Sequence, residues 1–600
     1  MKTILSKLQN YILPSLTGDL VLKRTKSSGW GVGLLALGIL SSCSDFDDYN
    51  KEVADATPSA NQTLWENIQQ NAQLSDFAAL VKKSGFDNEL SQSHYYTVWA
   101  PLNGTYNASF FQGLDNNALL TQFVKNHIAD YGHLAVGSID EHVKMLNEKT
   151  YDFTGTSSYS FGDKDVAQSN LPSNNGLMHI LNGSLTFYPN IYEYITDAIL
   201  AAGKDIDSLR NYVLAYEETY LDEEASVPGS IVDGMQTYVD SVVVTSNSLW
   251  RDMNIRMNNE DSTYTVLLPN NKAWVDSYGN IKECYKYAAT TKAQVFANGA
   301  IATNPASITI DPTFWQDSLT CRQLIRNLFF SNNDDYNTWM EGTPSAYGSD
   351  TLRTTLRNKL SNPKDIMKQS NQTIELSNGK ALVVDSLAMY SWETYSPEYT
   401  AIAASANNIG RVATGSTKTE NLPDSVETEV PSYLHVIPAG NFGRPELDIL
   451  LPNVLSTTYN IYCVFVPSFF DDKAAEVLPN RVIFTLNYCD ASGNLKDKEF
   501  LDESEENINA FQERFNLADN ASNRTTIRAF SNDPTRIDTL FVGEFTFPVC
   551  YAGLGNEYRP NIKITSPFSV FNKNLTAAFT RDLRIASIIL RPKEMEDNEQ

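Results

Sequence analysis

Six histidines and six cysteines carry most of the side-chain chemistry open to this 600-residue chain. The histidines are His94, His127, His133, His142, His179 and His435. A zinc site needs several such ligands at short, fixed separations. None of the six forms an HExxH pattern, and His127 and His133 stand six residues apart, a poor fit to one helix face. The chain has no GxSxG nucleophile elbow, no GxxxxGK[ST] phosphate loop and no GxGxxG following a strand. Acidic residues number 72, so acid pairs are frequent by composition alone. The "DFDD" run at 45–48 and the "NNDDYN" run at 332–337 suggest calcium, yet neither has the glycine and closing glutamate of an EF-hand loop, and both read as solvated loops. The cysteines are Cys43, Cys284, Cys321, Cys463, Cys489 and Cys550, with no CxxC spacing, which excludes a zinc framework and a disulfide scaffold. Cys463 and Cys489 sit in strand-like runs and read as buried free thiols, while a Cys284–Cys321 bridge stays open. No catalytic residue, metal ligand or cofactor is assigned.

Cys43 stands apart. Ten uncharged residues, Gly31 to Leu40, precede it, too few for a membrane span of roughly 20. Upstream lie five bases and a single acid, Asp19. A basic segment, a short apolar segment and small residues make an export signal. Leu40-Ser41-Ser42-Cys43 resembles a bacterial lipobox. That resemblance implies cleavage before Cys43 and a lipid on its thiol. The Ser44–Asp48 cluster resembles a surface-export tag of Gram-negative lipoproteins. Residues 1–42 are thus a signal peptide and 43–60 a flexible tether. The net charge is −26, and removal of the leader takes away a net four positive charges, leaving −30. Such a field repels phosphate backbones, which excludes nucleic acid as a partner. The membrane partner is reached through the lipid anchor alone.

Elements follow from periodicity. Leu64, Ile68, Phe77, Leu80 and Val81 fall at helical spacing, and Gly85 stops the run. "YYTVWAP" (95–101) reads as a strand closed by proline. The run 116–130 reads as a helix with Leu119, Leu120, Phe123, Val124 and Ile128 on one face. "NGLMHILNGSLTFYP" (175–189) reads as turn, strand, turn, strand, the Asn-Gly pairs supplying the positive φ of tight turns. Thr97-Val98-Trp99-Ala100-Pro101-Leu102-Asn103 resembles the first motif of fasciclin domains, and Asn175–Leu185 resembles the second. The resemblance implies an α+β fasciclin-like domain over 61–195. His179, among apolar neighbours, reads as a core histidine bonded to a backbone carbonyl. The pattern recurs at Thr265–Asn271 and at Asn378–Leu387, where Leu382 stands in the register of the family's histidine. "CRQLIRNLFF" (321–330) takes the place of the middle helix. A second, degenerate fasciclin-like domain is expected over 196–395.

Residues 396–430, rich in Ser, Thr, Ala and Asn, read as a connector. From 431 to 600 come seven short β-branched or aromatic runs bounded by Pro, Gly or Asn, an all-β, jelly-roll-like sandwich, with one helical insertion at 503–517. Asp-Ser/Thr-aliphatic triplets centred on residues 208, 241, 318, 351, 386, 425 and 539 resemble a bacterial O-glycosylation acceptor. Aromatic faces stack on sugars, and Phe469, Phe470, Tyr551 and Tyr558 lie near loops. The expected function is non-enzymatic: an outward-facing outer-membrane lipoprotein that captures glycan or docks in an outer-membrane transporter complex, with structural adhesion as the alternative.

Overall fold

The run Tyr96–Pro101 is apolar at nearly every position because both of its faces are covered. In a computed structural model, which describes residues 58–232, 235–297, 299–331, 351–440, 442–473, 476–568 and 573–599, it forms the buried strand β1. Cys43, the leader, nearly all of the tether and the 332–337 run lie outside the described residues. The first sheet has the order β2 (Ile128–Asp130), β1, β7 (Gly176–Leu181), β6 (Lys164–Ser173), β5 (Tyr159–Phe161), β4 (Thr150–Gly155), β3 (Ile139–Lys144). β1 runs parallel to β7 and antiparallel to β2. Side chains alternate along a strand. Tyr96, Val98 and Ala100 therefore meet the helices, and Trp99 meets Phe153, Phe161 and Leu181 on the far side.

Two helices cover the first face. Leu64–Gln70 starts at a capping box between Thr63 and Glu66 and buries Leu64 and Ile68. Ser75–Ser84 buries Phe77, Leu80 and Val81 and ends at Gly85, whose φ is 81°. The third helical run covers Asn116–His127 and not 116–130. Ile128 to Asp130 are instead edge strand β2, since Ile128 pairs with Val98. The strand expected after Asn182-Gly183 does not form. Leu185 instead plugs the core, and its N–H donates to His127 Nε2 at 3.0 Å. Gly176 serves close approach and not positive φ: a Cβ there would sit 2.3 Å from Tyr96 O.

The second repeat starts at Ile191 and not at 196, because Ile191, Tyr194 and Ile195 join its core and Ile191 N donates to Asn378, and it is built on the same plan. Its elements are helices Ile191–Thr196 and Asp207–Ala215, a long hairpin of β8 (Glu217–Val232) and β9 (Met235–Asn247), β10 (Tyr264–Pro269), helix Asn271–Lys282, the small pairs β11 (Thr290–Ala293) with β14 (Ala306–Thr309) and β12 (Phe296–Ala297) with β13 (Ala300–Ile301), helix Pro312–Ile325, β15 (Phe329–Ser331), the pair β16 (Leu352–Arg353) and β17 (Lys359–Leu360), β18 (Ser370–Leu376) and β19 (Gly379–Val384). The sheet order β15-β10-β19-β18 reproduces β2-β1-β7-β6, again with a parallel central pair. Phe329 and Phe330, expected on the middle helix, lie in β15, because they pair with Val266 and Thr265. Polar anchors repeat as well. Asn175 Oδ1 accepts from Leu64 N at 2.7 Å, and Asn378 Oδ1 accepts from Ile191 N at 2.9 Å. Asn103 Oδ1 accepts from Asp76 N, and Asn271 Oδ1 from Ser208 N.

Residues 399–421 are not a connector. They form β20 (Tyr399–Ile402), β21 (Ile409–Ala413) and β22 (Gly415–Asn421), held by backbone pairing that their polar composition does not announce. With β23 (Ser432–Pro438), β24 (Glu446–Leu450), β25 (Thr458–Phe465), β26 (Arg481–Cys489), β27 (Leu495–Phe500), β28 (Phe530–Ser531), β29 (Asp538–Thr546), β30 (Asn561–Thr565) and β31 (Leu583–Pro592) they build two antiparallel sheets. One has the order β22-β23-β31-β25-β29, and the other β21-β24-β30-β26-β27. Along β25, Tyr459, Ile461, Cys463 and Phe465 are buried in strict alternation, the signature of a sandwich face. All seven expected strand runs are present, and helix Glu505–Phe515 occupies the expected insertion. The fold is a tandem of α+β fasciclin-like units followed by a β-rich C-terminal region. The core of the second repeat runs into the sandwich without a break, whereas the first repeat keeps its own.

Candidate functional site

The histidines that invite a catalytic reading are core pieces. His127 is fully buried, its Nδ1 is 2.7 Å from Phe123 O, and its Nε2 accepts from Leu185 N, so Nδ1 carries the proton. His179 Nε2 donates to His133 O at 2.8 Å, and the ring stacks on Trp99 at 5.6 Å. Burial pushes both imidazoles down to about 4. His435 sits between Asp471 and Asp582 at 2.9 and 3.0 Å, and Arg584 binds Asp471 at 2.8 Å. That network ties β23 and β31 to the turn after β25. Among the described residues no group of three His, Cys, Asp or Glu is arranged to hold a metal. Cys284, Cys321, Cys463, Cys489 and Cys550 are all free thiols. Burial raises Cys284 to about 11 and Cys321 to about 12, so neither is a ready nucleophile.

The aromatic candidates separate by burial. Tyr551 is core, its hydroxyl accepting from Cys489 N at 2.6 Å, and Tyr558 packs partly against the same core. Phe469 and Phe470 lie ring to ring at 4.8 Å, with Phe470 against the small cluster around Tyr433. None of these four lines the cleft described next. Of the glycosylation candidates, Ser386, Ser425 and Thr539 are exposed.

A different aromatic pair does. The loop after β19 turns through Ser391–Glu393 and stacks Tyr390 on Trp392, ring centres 4.6 Å apart and planes within 9°. Ser361 N donates to both Glu393 carboxylate oxygens at 3.0 and 3.2 Å, fastening the turn to the end of β17. Asn362 Nδ2 donates to Ala388 O at 2.8 Å. From the other side Ser391 Oγ donates to Glu594 at 2.5 Å and pins the C-terminal helix Lys593–Glu599. The result is an open cleft of about 700 Å³ lined by Arg357, Asn358, Lys359, Ser361, Tyr390, Trp392, Glu393, Met595 and Asn598. Its size is that of small-ligand sites, about 300–1,000 Å³. It offers an aromatic face, several N–H donors and a single carboxylate, which already accepts from a backbone amide. Retaining and inverting glycoside hydrolases typically use two carboxyl groups, and Glu393 is the one carboxylate in this lining. The signal that sequence reading passed over is "MYSWE" (389–393): two aromatics two apart just beyond a buried strand.

The fasciclin-domain family model matches residues 72–187. The chain contains a fasciclin domain. The match covers the first repeat, with Trp99, His127 and His179 in its core. Among solved structures the chain is similar to a FAS1 domain pair from the insect cell adhesion molecule fasciclin I, at 13% identity over 54% of this chain and 99% of that one, TM-score 0.19. It is also similar to a Paenibacillus xanthan lyase, at 8% identity over 31% of this chain and 12% of that one, TM-score 0.17. No curated protein matches the chain. Fasciclin domains occur in cell-surface or secreted proteins as adhesion modules and are generally not enzymes. No helix among the described residues is long and apolar enough to cross a membrane.

Proposed function

We propose that this fasciclin-domain protein is a lipid-anchored, outward-facing component of an outer-membrane nutrient-uptake system that captures glycan without cleaving it. The observation that carries the reading is the Tyr390–Trp392 stack in a polar cleft with one committed carboxylate. A sugar ring lays its C–H face on an aromatic plane and offers hydroxyls to surrounding donors, and Arg357, Asn358, Lys359 and Asn598 stand around this plane. Cys43 is the lipid-carrying residue of the reading. The test is affinity electrophoresis of the purified mature chain through gels loaded with a panel of polysaccharides. One or more polymers should retard it, and Trp392→Ala should weaken that retardation about tenfold, the loss of one stacking contact of roughly 1.4 kcal/mol. Unretarded migration across the panel would sink glycan capture and leave adhesion through protein surfaces.

A further inference from the structure

The long hairpin of the second repeat has no counterpart in the first. β8 and β9 are sixteen and thirteen residues long. At ~3.3 Å per residue β8 extends about 50 Å. Its base is fastened: the Tyr192 hydroxyl donates to Glu217, and Asn247 Nδ2 donates to Val213 O at 2.8 Å. Beyond that base each strand pairs with the other and with no further strand among the described residues. A lone two-stranded hairpin is marginal in water. Its outer edges present backbone N–H and C=O groups that folded proteins usually blunt or cover.

The two edges are treated differently. β8 is blunted by Asp222-Glu223-Glu224, by a register break between Asp222 and Val227, and by Pro228. β9 also has an irregularity, between Tyr238 and Asp240, but from Val242 to Asn247 its register with β8 is regular, and Val242-Val243-Val244-Thr245-Ser246-Asn247 has no charge, no proline and a β-branched run. Tyr220 and Ile231 of β8 are 53% and 71% exposed.

We propose that β9 is a docking edge on which an extended, basic segment of a partner protein adds a third strand. Charge selects the occupant. Residues 217–247 hold seven acids and no Lys, Arg or His. Five of the seven lie on β8, one at the turn and one, Asp240, on β9, so they act on a strand beside β9 mainly from one strand further off, about 10 Å away. At that range, near one ~8 Å screening length, the field of the hairpin still favours lysines or arginines on an incoming strand and disfavours a second copy carrying the same acids. The inference goes beyond glycan capture and uses none of the cleft residues.

The experiment titrates the mature chain with a labelled ten-residue peptide alternating lysine and valine. Controls are its glutamate–valine counterpart and a lysine–valine peptide broken by a central proline. Binding is read by anisotropy, and amide exchange is followed over 242–247. A shortened chain replaces residues 222–242 with Asn-Gly, joining the registered pair Leu221 and Val243 through a two-residue turn. The lysine–valine peptide should bind, slow exchange along β9 and lose at least tenfold in affinity to the shortened chain. Both control peptides should bind at least tenfold more weakly, and Trp392→Ala should change nothing. Equal binding of the proline-broken peptide, or unchanged exchange along β9, would overturn strand addition. A concentration-dependent dimer of the full chain that the shortened chain loses would overturn the choice of partner. Should the shortened chain not fold, the triple change Glu218→Lys, Glu223→Lys, Glu224→Lys must weaken the lysine–valine peptide and strengthen its glutamate counterpart, and the opposite result counts against the proposal.

Discussion

At the scale of single residues, His127 and His179 show how a fasciclin core uses a polar ring. Each spends both ring nitrogens on backbone groups and packs among aromatic rings, and burial holds each neutral with a pKa near 4. The unfolded chain binds protons at its histidines near 6.5. The folded state refuses them, so this stability is complete above pH 6.5 and drains away as pH falls toward 4. Each ring should withdraw about 2 kcal/mol between pH 7.5 and 5. Urea unfolding of the first repeat at the two pH values measures the loss. His179→Leu, the residue that the second repeat carries at Leu382, should lower stability at pH 7.5 and flatten the pH dependence; an unchanged slope would refute the assignment. His179 among apolar neighbours was legible as core from its surroundings. Tyr390 and Trp392 were not legible as a site, because aromatic residues in a loop look alike until the chain that faces them is known.

Elements repeat through their anchors more than through their apolar residues. Asn378 spends one amide on Ile191 N, Met257 O and Asn259 O, tying the start of the second repeat to its central strands as Asn175 does in the first. Asn378→Ala leaves the buried Ile191 N without its acceptor and takes one donor each from Met257 O and Asn259 O, which keep longer bonds from Tyr192 N and Ser262 N at 3.4 Å, a loss on the order of 2 kcal/mol. Thermal unfolding of the second repeat and sandwich should show it as a lowered midpoint. The spacing of apolar positions placed the helices and central strands, since alternation of 2 and 3.6 is a local property. It misplaced Ile128, Phe329 and the residue 399–421 strands, because each joins an edge by backbone hydrogen bonds that any side chain permits.

At the scale of the whole molecule a buried lysine bridges the two repeats. Lys149 is 2% exposed, and its Nζ lies 2.7 Å from Glu193 and 2.6 Å from Glu260, with Ser377 Oγ at 3.2 Å. Lys149→Ala leaves two carboxylates facing each other at the junction, a cost of about 3 kcal/mol. It should separate the melting of the first repeat from that of the rest and expose the 186–190 linker to protease. A variant that melts and digests like the parent would show that the lysine does not couple the repeats. The sequence by itself determined the two repeats, the β-rich C-terminal region and the buried free thiols, because hydrophobic period, turn chemistry and cysteine spacing are written locally. Only the tertiary structure decided which aromatics share a cleft, which polar groups meet across the repeats, and that the second repeat and the sandwich have one core. Those contacts join residues from 44 to more than 200 positions apart, and the free energy that selects them comes from burial and pairing that no window of sequence contains.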